Sequence, residues 1–148
     1  MPIHSESKIL KYQPEQMFEL VADVNSYPQF LPWCSAARIH SRSFIENNEV
    51  LEADLVISFK VFREKFGSKV TLMRSENQII TEYIDGPFKR MYSQWRFKSV
   101  NNGSEVSLYV DSEMKNAVVQ KIVCVVFNEA RHRVLTAFEK QAVAHYPD

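Results

Sequence analysis

The sequence has few of the residues that divide or staple a chain. Three glycines occur in 148 residues, Gly67, Gly86 and Gly103, and no Ser-rich or Pro-rich stretch separates one part from another, so a flexible linker between two folded units is excluded. The two cysteines, Cys34 and Cys124, lie far apart with no short Cys/His spacing beside them. Neither a disulfide framework nor a metal site is expected, and a reducing compartment fits best. Net charge is also missing, because 18 Lys plus Arg balance 18 Asp plus Glu. The whole-molecule field therefore draws in neither a nucleic acid nor an anionic bilayer. No apolar run approaches the roughly 20 residues that span a membrane. The opening Met-Pro-Ile-His-Ser-Glu-Ser carries no basic stretch followed by an apolar core, so the expectation is a cytoplasmic protein without a leader. The usual marks of catalysis are absent as well. There is no nucleophile elbow, phosphate loop or dinucleotide glycine pattern, and His4, His40, His132 and His145 are dispersed.

What the chain does have is bulk. Ten Phe and six Tyr within a composition that is 45% hydrophobic supply large side chains for a wide core or a lined cavity. The length suits one compact unit over residues 1–148. Residues 3–11 read as extended. Gln13-Pro14-Glu15-Gln16 then reads as a helix start, with Pro14 at the first position and Glu15 favoured by the helix dipole. Met17, Phe18, Val21 and Ala22 form the apolar stripe of this short helix, which Pro28 and Pro32 are expected to stop. Tyr27 to Trp33 is thus an aromatic, kinked connector.

From residue 49 the period becomes two. Leu51, Ala53, Leu55, Ile57 and Phe59 alternate with Glu52, Asp54, Ser58 and Lys60, and Phe62, Phe66, Val70 and Leu72 continue the pattern. Further strands are predicted over 79–84, 91–100 and 106–114, separated by Asp85-Gly86-Pro87 and Asn101-Asn102-Gly103 turns. Asp54, Asp111 and Glu113 alternate with apolar neighbours, as solvent-side strand residues do. After Asn116, a good N-cap, Val119, Ile122, Val123, Val126, Phe127, Ala130, Val134, Ala137 and Phe138 fall on one helical stripe. A helix over 116–143 is on the order of 40 Å long at ~1.5 Å per residue, enough to cross a whole sheet. Strand, short helices, a run of strands and one long helix make an α+β pattern with the helices on one face of an antiparallel sheet.

Three stretches carry a resemblance: Phe18-Glu19-Leu20-Val21-Ala22-Asp23-Val24 running into Tyr27-Pro28-Gln29-Phe30-Leu31-Pro32-Trp33-Cys34, then Phe62-Arg63-Glu64-Lys65-Phe66, then Gly86-Pro87-Phe88-Lys89-Arg90 with Trp95-Arg96-Phe97. Together they resemble the coenzyme Q-binding START-domain family, which also contains ribosome-association toxins and oligoketide cyclase-like or lipid-transport proteins. The resemblance covers nearly the whole chain. It implies a START-like helix-grip fold, in which a curved antiparallel sheet wraps around a long C-terminal helix, with two short helices after the first strand. It also implies a ubiquinone-like lipid as ligand rather than a cofactor, a part in respiratory electron transport or quinone biosynthesis, and no catalysis.

The candidate ligand-binding residues follow from this frame. Tyr27, Phe30, Leu31 and Trp33 of the connector either plug one end of the core or gate the entry of a prenyl tail, with a peripheral contact at the inner face of the cytoplasmic membrane. Leu55, Ile57, Phe59, Phe66, Trp95 and Phe97 of the sheet and Val123, Val126 and Phe127 of the helix are core residues that could line a tunnel. Glu64 and Arg133 fall on these apolar faces. They either lie at a mouth with their heads in water, or pair with each other or with a quinone head group inside. On the outer face of the last helix, Cys124, Val125 and Leu135 interrupt Lys121, Asn128, Arg131, His132 and Glu139. Lys89-Arg90 and Arg131-His132-Arg133 are the basic clusters that a ribosome-directed factor would use, without the aromatic platform of single-strand binders. A cyclase-type enzyme on the same fold would need a titratable residue deep in the tunnel, with Glu64 the candidate.

Overall fold

A computed structural model of the chain describes residues 3–31, 34–59, 62–86 and 88–146, and within them all side chains except those of His4, Phe59, Phe62, Val119 and residues 122–134. The elements follow in the order β1 (Ile3–Leu10), α1 (Pro14–Ala22), α2 (Tyr27–Phe30), β2 (Cys34–Ile45), β3 (Asn48–Phe59), β4 (Phe62–Met73), β5 (Gln78–Asp85), β6 (Phe88–Val100), β7 (Gly103–Met114) and α3 (Ala117–His145). All seven strands form one antiparallel sheet in the order β1-β7-β6-β5-β4-β3-β2. From β2 to β7 it is a meander of hairpins, and β1 closes the far side against β7. Bulges interrupt the pairing between β2 and β3, β4 and β5, and β6 and β7. Such insertions bend the bulged strand and increase its twist, so the sheet curves around the helix.

Helix α1 begins where the sequence predicts. Pro14 occupies the first turn, and the Gln13 N–H donates to Gln16 Oε1 at 2.9 Å. Pro14, Met17, Phe18, Leu20, Val21 and Ala22 are buried. Pro28 does not stop this helix. The turn at Asp23 ends it, a 3₁₀ turn over Val24–Ser26 follows, and Pro28 sits in the first turn of α2, where its missing N–H costs nothing. Pro32 lies outside the described residues.

The strand β2 is absent from the sequence-based expectation. Its burial hardly alternates, since after Cys34 nearly every residue is exposed or half-exposed. It is an edge strand with two register shifts, so the period-two signal that marks a half-buried strand is lost. The β2–β3 hairpin turns on Glu46 and Asn47, both at positive φ.

Helix α3 is capped as predicted, with Asn116 Oδ1 accepting from the Val118 N–H at 2.8 Å. Its last turns seat Leu135, Phe138 and Ala142 in the core at 4%, 2% and 0% exposure. Leu135 therefore belongs to the buried stripe and not to the outer face: positions 135, 138 and 142 share one side at helical spacing. No helix among the described residues is long and apolar enough to cross a membrane.

Candidate functional site

Register fixes which side chains face α3. Opposed residues in an antiparallel pair share a face, so Leu51 with Val70, Ala53 with Ser68, Leu55 with Phe66 and Ile57 with Glu64 point to one side. Across the rest of the sheet that face continues through Ile79, Thr81, Ser93, Trp95, Phe97, Val106, Leu108, Val110 and Ser112. The helix crosses this surface end to end. At its start, Gln120 Oε1 accepts from the Met114 N–H at 2.6 Å. Near its finish, Phe138 meets Trp95, and Lys8 Nζ of β1 reaches Glu139 Oε1 at 2.6 Å.

Both ends of the concavity are aromatic. At one end Phe138 is ringed edge-on by Tyr27 at 5.6 Å, Phe30 at 5.1 Å and Trp95 at 5.1 Å between centroids. Trp95 stacks in turn beside Phe97 at 6.2 Å, and Phe97 meets Phe18 edge-on at 5.6 Å. At the other end Phe88 is held between Phe66 at 5.2 Å and Tyr83 at 5.5 Å. Between these two clusters the floor is built of small residues. Ala53, Ser68, Ser93 and Ser112 are all buried, and small side chains in the floor of a curved sheet leave width beneath the helix. Ser68 Oγ donates to the Ala53 carbonyl at 3.4 Å. Burial raises the pKa of the Tyr83 phenol, and the neighbouring Phe88 amide opposes that shift.

The candidate residues divide accordingly. Leu31, Phe66, Trp95 and Phe97 are buried, and Leu55 and Ile57 are half-buried on the inner face. Tyr27 and Phe30 pack against the core through Phe138, and the Tyr27 hydroxyl donates to the Val21 carbonyl. Burial drives the Tyr27 pKa well above its ordinary value, with lesser contributions from Cys34 and Asp23. Glu64 shares a face with Ile57 but is exposed. Trp33 and the side chains of Phe59, Val123, Val126, Phe127 and Arg133 lie outside the described residues, and so does any pairing of Glu64 with Arg133. Phe138, Ser112 and Tyr83 were not among the candidates. Phe138 was legible as helix stripe, whereas Ser112 and Tyr83 were detectable only as polar residues at inward positions of their strands.

A second concavity opens outside the sheet–helix layer. A cleft of about 240 Å³ between α1, α2 and the end of α3 is lined by Glu19, Asp23, Gln29, Gln141, His145 and Tyr146 among others. Its lining mixes acids and amides with Leu20 and Phe30. On the convex face the cations are matched by acids. Arg90 bonds Glu113 and reaches Asp111 at 3.2 Å, and Lys89 lies 3.7 Å from Glu113. Lys65 and His40 both face Asp54, at 3.9 and 2.5 Å. At the rim, in the turn between β4 and β5, Arg74 bridges Glu49 at 2.8 Å and Glu19 of α1 at 3.2 Å. The Lys89-Arg90 cluster is thus largely neutralised in place. No group of three or more His, Cys, Asp or Glu able to hold a metal occurs among the described residues.

A curved sheet gripping one long helix agrees with what sequence comparison finds. Residues 10–139 match the family described as polyketide cyclase / dehydrase and lipid transport. The chain belongs to that family. A ribosome association toxin RatA of Rickettsia prowazekii is 40% identical over 139 residues, covering 92% of each chain. The mitochondrial coenzyme Q-binding protein COQ10 homolog B of Xenopus laevis is 31% identical over 144 residues, which cover 94% of this chain and 57% of that protein. Among solved structures, a START superfamily protein from Mycobacterium smegmatis superposes with a TM-score of 0.79 at 20% identity, covering 95% of this chain and 96% of that one. The START-like helix-grip fold that the resemblance implies is therefore borne out.

Proposed function

We propose that this protein binds a hydrophobic ligand, a prenylated quinone, between its sheet and α3, and performs no chemistry on it. The observation that carries this reading is the inner face itself: aromatic clusters at both ends, small residues between them and a long helix as lid. Burial alone supplies the affinity, at about 0.8 kcal/mol for each enclosed methylene. A few isoprene units suffice. The COQ10 homolog is named for coenzyme Q binding, which favours a quinone over other lipids, and delivery at the inner face of the cytoplasmic membrane suits such a cargo.

Native mass spectrometry and organic extraction of the protein purified from its own host test this reading. Near-stoichiometric quinone in the extract supports it, and a ligand-free protein that also refuses added quinone overturns it.

A second reading rests on the 40% identity to a ribosome association toxin, under which this chain would interfere with the joining of ribosomal subunits. It predicts co-sedimentation with ribosomal particles that weakens steeply with salt.

A further inference from the structure

The strand β2 is one edge of the sheet, and its outer half is left unguarded. Among the described residues it pairs with β3 alone. An exposed edge presents unpaired N–H and C=O groups to any other strand, and bulges or charges are the usual protection. The two register shifts of β2 fall between Cys34 and Ala36 and between Ile39 and Ser41. From Ser41 to Ile45 the register is unbroken, every residue is exposed, and the run ends in Phe44 at 74% and Ile45 at 53% exposure. The turn that follows is Glu46-Asn47, both at positive φ, closed by Ile45 opposite Asn48. In a hairpin with so short a turn the closing pair exchanges its main-chain hydrogen bonds, and bonded and non-bonded pairs alternate from there. Ile45, Ser43 and Ser41 therefore spend their main-chain groups on β3. Those of Phe44 and Arg42 point outward, away from the sheet.

We propose that this edge pairs with the same edge of a second copy of the chain, antiparallel about a two-fold axis at Ser43. Centring the axis on Arg42 instead would set two like charges directly opposite each other, which is unfavourable. Centring it on Phe44 would pair a single residue from each copy, because Glu46 has already left the extended conformation. With the axis at Ser43, Phe44 of each copy lies opposite Arg42 of the other, and every outward N–H and C=O of these residues is met. The same register sets each phenyl ring against a guanidinium on one face of the joined sheets, a favourable cation–π pair. Glu49 of its own chain already holds that guanidinium at 3.1 Å. Glu46 comes level with His40 of the second copy, an acid beside a base. A strip running only from Ser41 to Ile45 is short of the roughly 1,000 Å² that a stable interface needs, so the dimer is weak and forms at high local concentration. It joins the two sheets at the rim where Arg74 ties Glu49 of β3 to Glu19 of α1.

Cysteine cross-linking of the full chain tests the register. Ser43 meets its own copy across the axis as a non-hydrogen-bonded pair, where the Cα atoms are about 4.5 Å apart and a disulfide can close. Ser41 faces Ile45 of the second copy and lies far from its own equivalent. Under mild oxidation Ser43→Cys should form a disulfide-linked dimer roughly tenfold faster than Ser41→Cys. Wild type, which shares Cys34 and Cys124 with both variants, sets the background. Sedimentation velocity of wild type should show a mass that rises toward the dimer with concentration. Phe44→Pro removes an N–H that β3 does not accept, so it should remain folded, stay monomeric and abolish the cross-link when combined with Ser43→Cys. Equal cross-linking rates for Ser43→Cys and Ser41→Cys overturn the proposal, whether or not Phe44→Pro folds. A folded Phe44→Pro variant that still dimerises overturns it as well.

Discussion

Phe138 of the long helix stands edge-on to Trp95 of the sheet, ring centroids 5.1 Å apart and planes at 76°. The next residue, Glu139, makes the ion pair to Lys8, with both side chains more than a third exposed. Two adjacent positions therefore fasten the same end of the helix by different means. Burial dominates. Phe138→Ala is expected to cost about 3–5 kcal/mol through lost transfer energy and the cavity left behind, whereas Glu139→Ala costs about 0–1 kcal/mol. Urea unfolding followed by tryptophan fluorescence compares them, and equal losses would mean that the aromatic cluster does not hold the helix.

Gly103 opens β7 directly against the end of β1. A Cβ there would lie 1.9 Å from the Leu10 carbonyl oxygen and 3.0 Å from the Lys11 Cα. Those are backbone atoms and cannot swing aside. Gly103→Ala should loosen the β1–β7 pairing, costing about 1–3 kcal/mol, with amide exchange at Lys8 and Leu10 accelerated well before that of β4. Unaltered exchange in β1 would contradict the close approach.

Glu49 carries a pH signature. The hydrogen bond from Arg74, with a second from Arg42, holds its carboxyl below the usual range, although partial burial pushes the other way. A depressed folded-state pKa contributes stability above the unfolded value of about 4.3, and that contribution is lost as pH falls through the folded value. Arg74→Met should therefore lower stability near neutrality and flatten its decline in the acid limb. A stability–pH profile parallel to wild type would show that the pair carries nothing.

Tyr27 gives the opposite limb. Its hydroxyl donates to the Val21 carbonyl, one of the last carbonyls of α1, and burial raises its pKa. A raised folded-state pKa means that its contribution is complete below about pH 10 and is lost as pH rises further. Tyr27→Phe should cost about 1–2 kcal/mol at neutral pH and flatten the alkaline limb. Difference absorbance of the phenolate measures the same effect, with Tyr27 the last tyrosine to ionise.

Much of this was legible in advance because it depends on local rules. Pro14 at a helix start, Asn116 as a cap and the alternation from Leu51 to Leu72 each declare their structure over a few residues. The strand β2 escaped because an exposed edge has no hydrophobic period to display. Leu135 was assigned to the wrong face because a continuous helical phase was carried from Val119 onward, while the buried stripe of the last turns runs 135, 138, 142. The site was harder to read than the fold. Which inward residues are core and which line a space depends on the width between two elements far apart in sequence. Ser68, Ser93 and Ser112 become informative only once the register aligns them under the helix.

The sheet order puts β1 beside β7, with Ile3 opposite Asp111 and Leu10 opposite Ser104. During synthesis β2 to β6 can zip as successive hairpins while the chain is still emerging, because each neighbour is adjacent in sequence. The first strand has no such neighbour. It must wait, with α1 tethered behind it, until nearly a hundred later residues have been made and the seventh strand presents its edge. The segment translated first is thus among the last to be placed. Truncations from the C-terminal side, even those sparing the helix contacts of α1, would leave it without a partner.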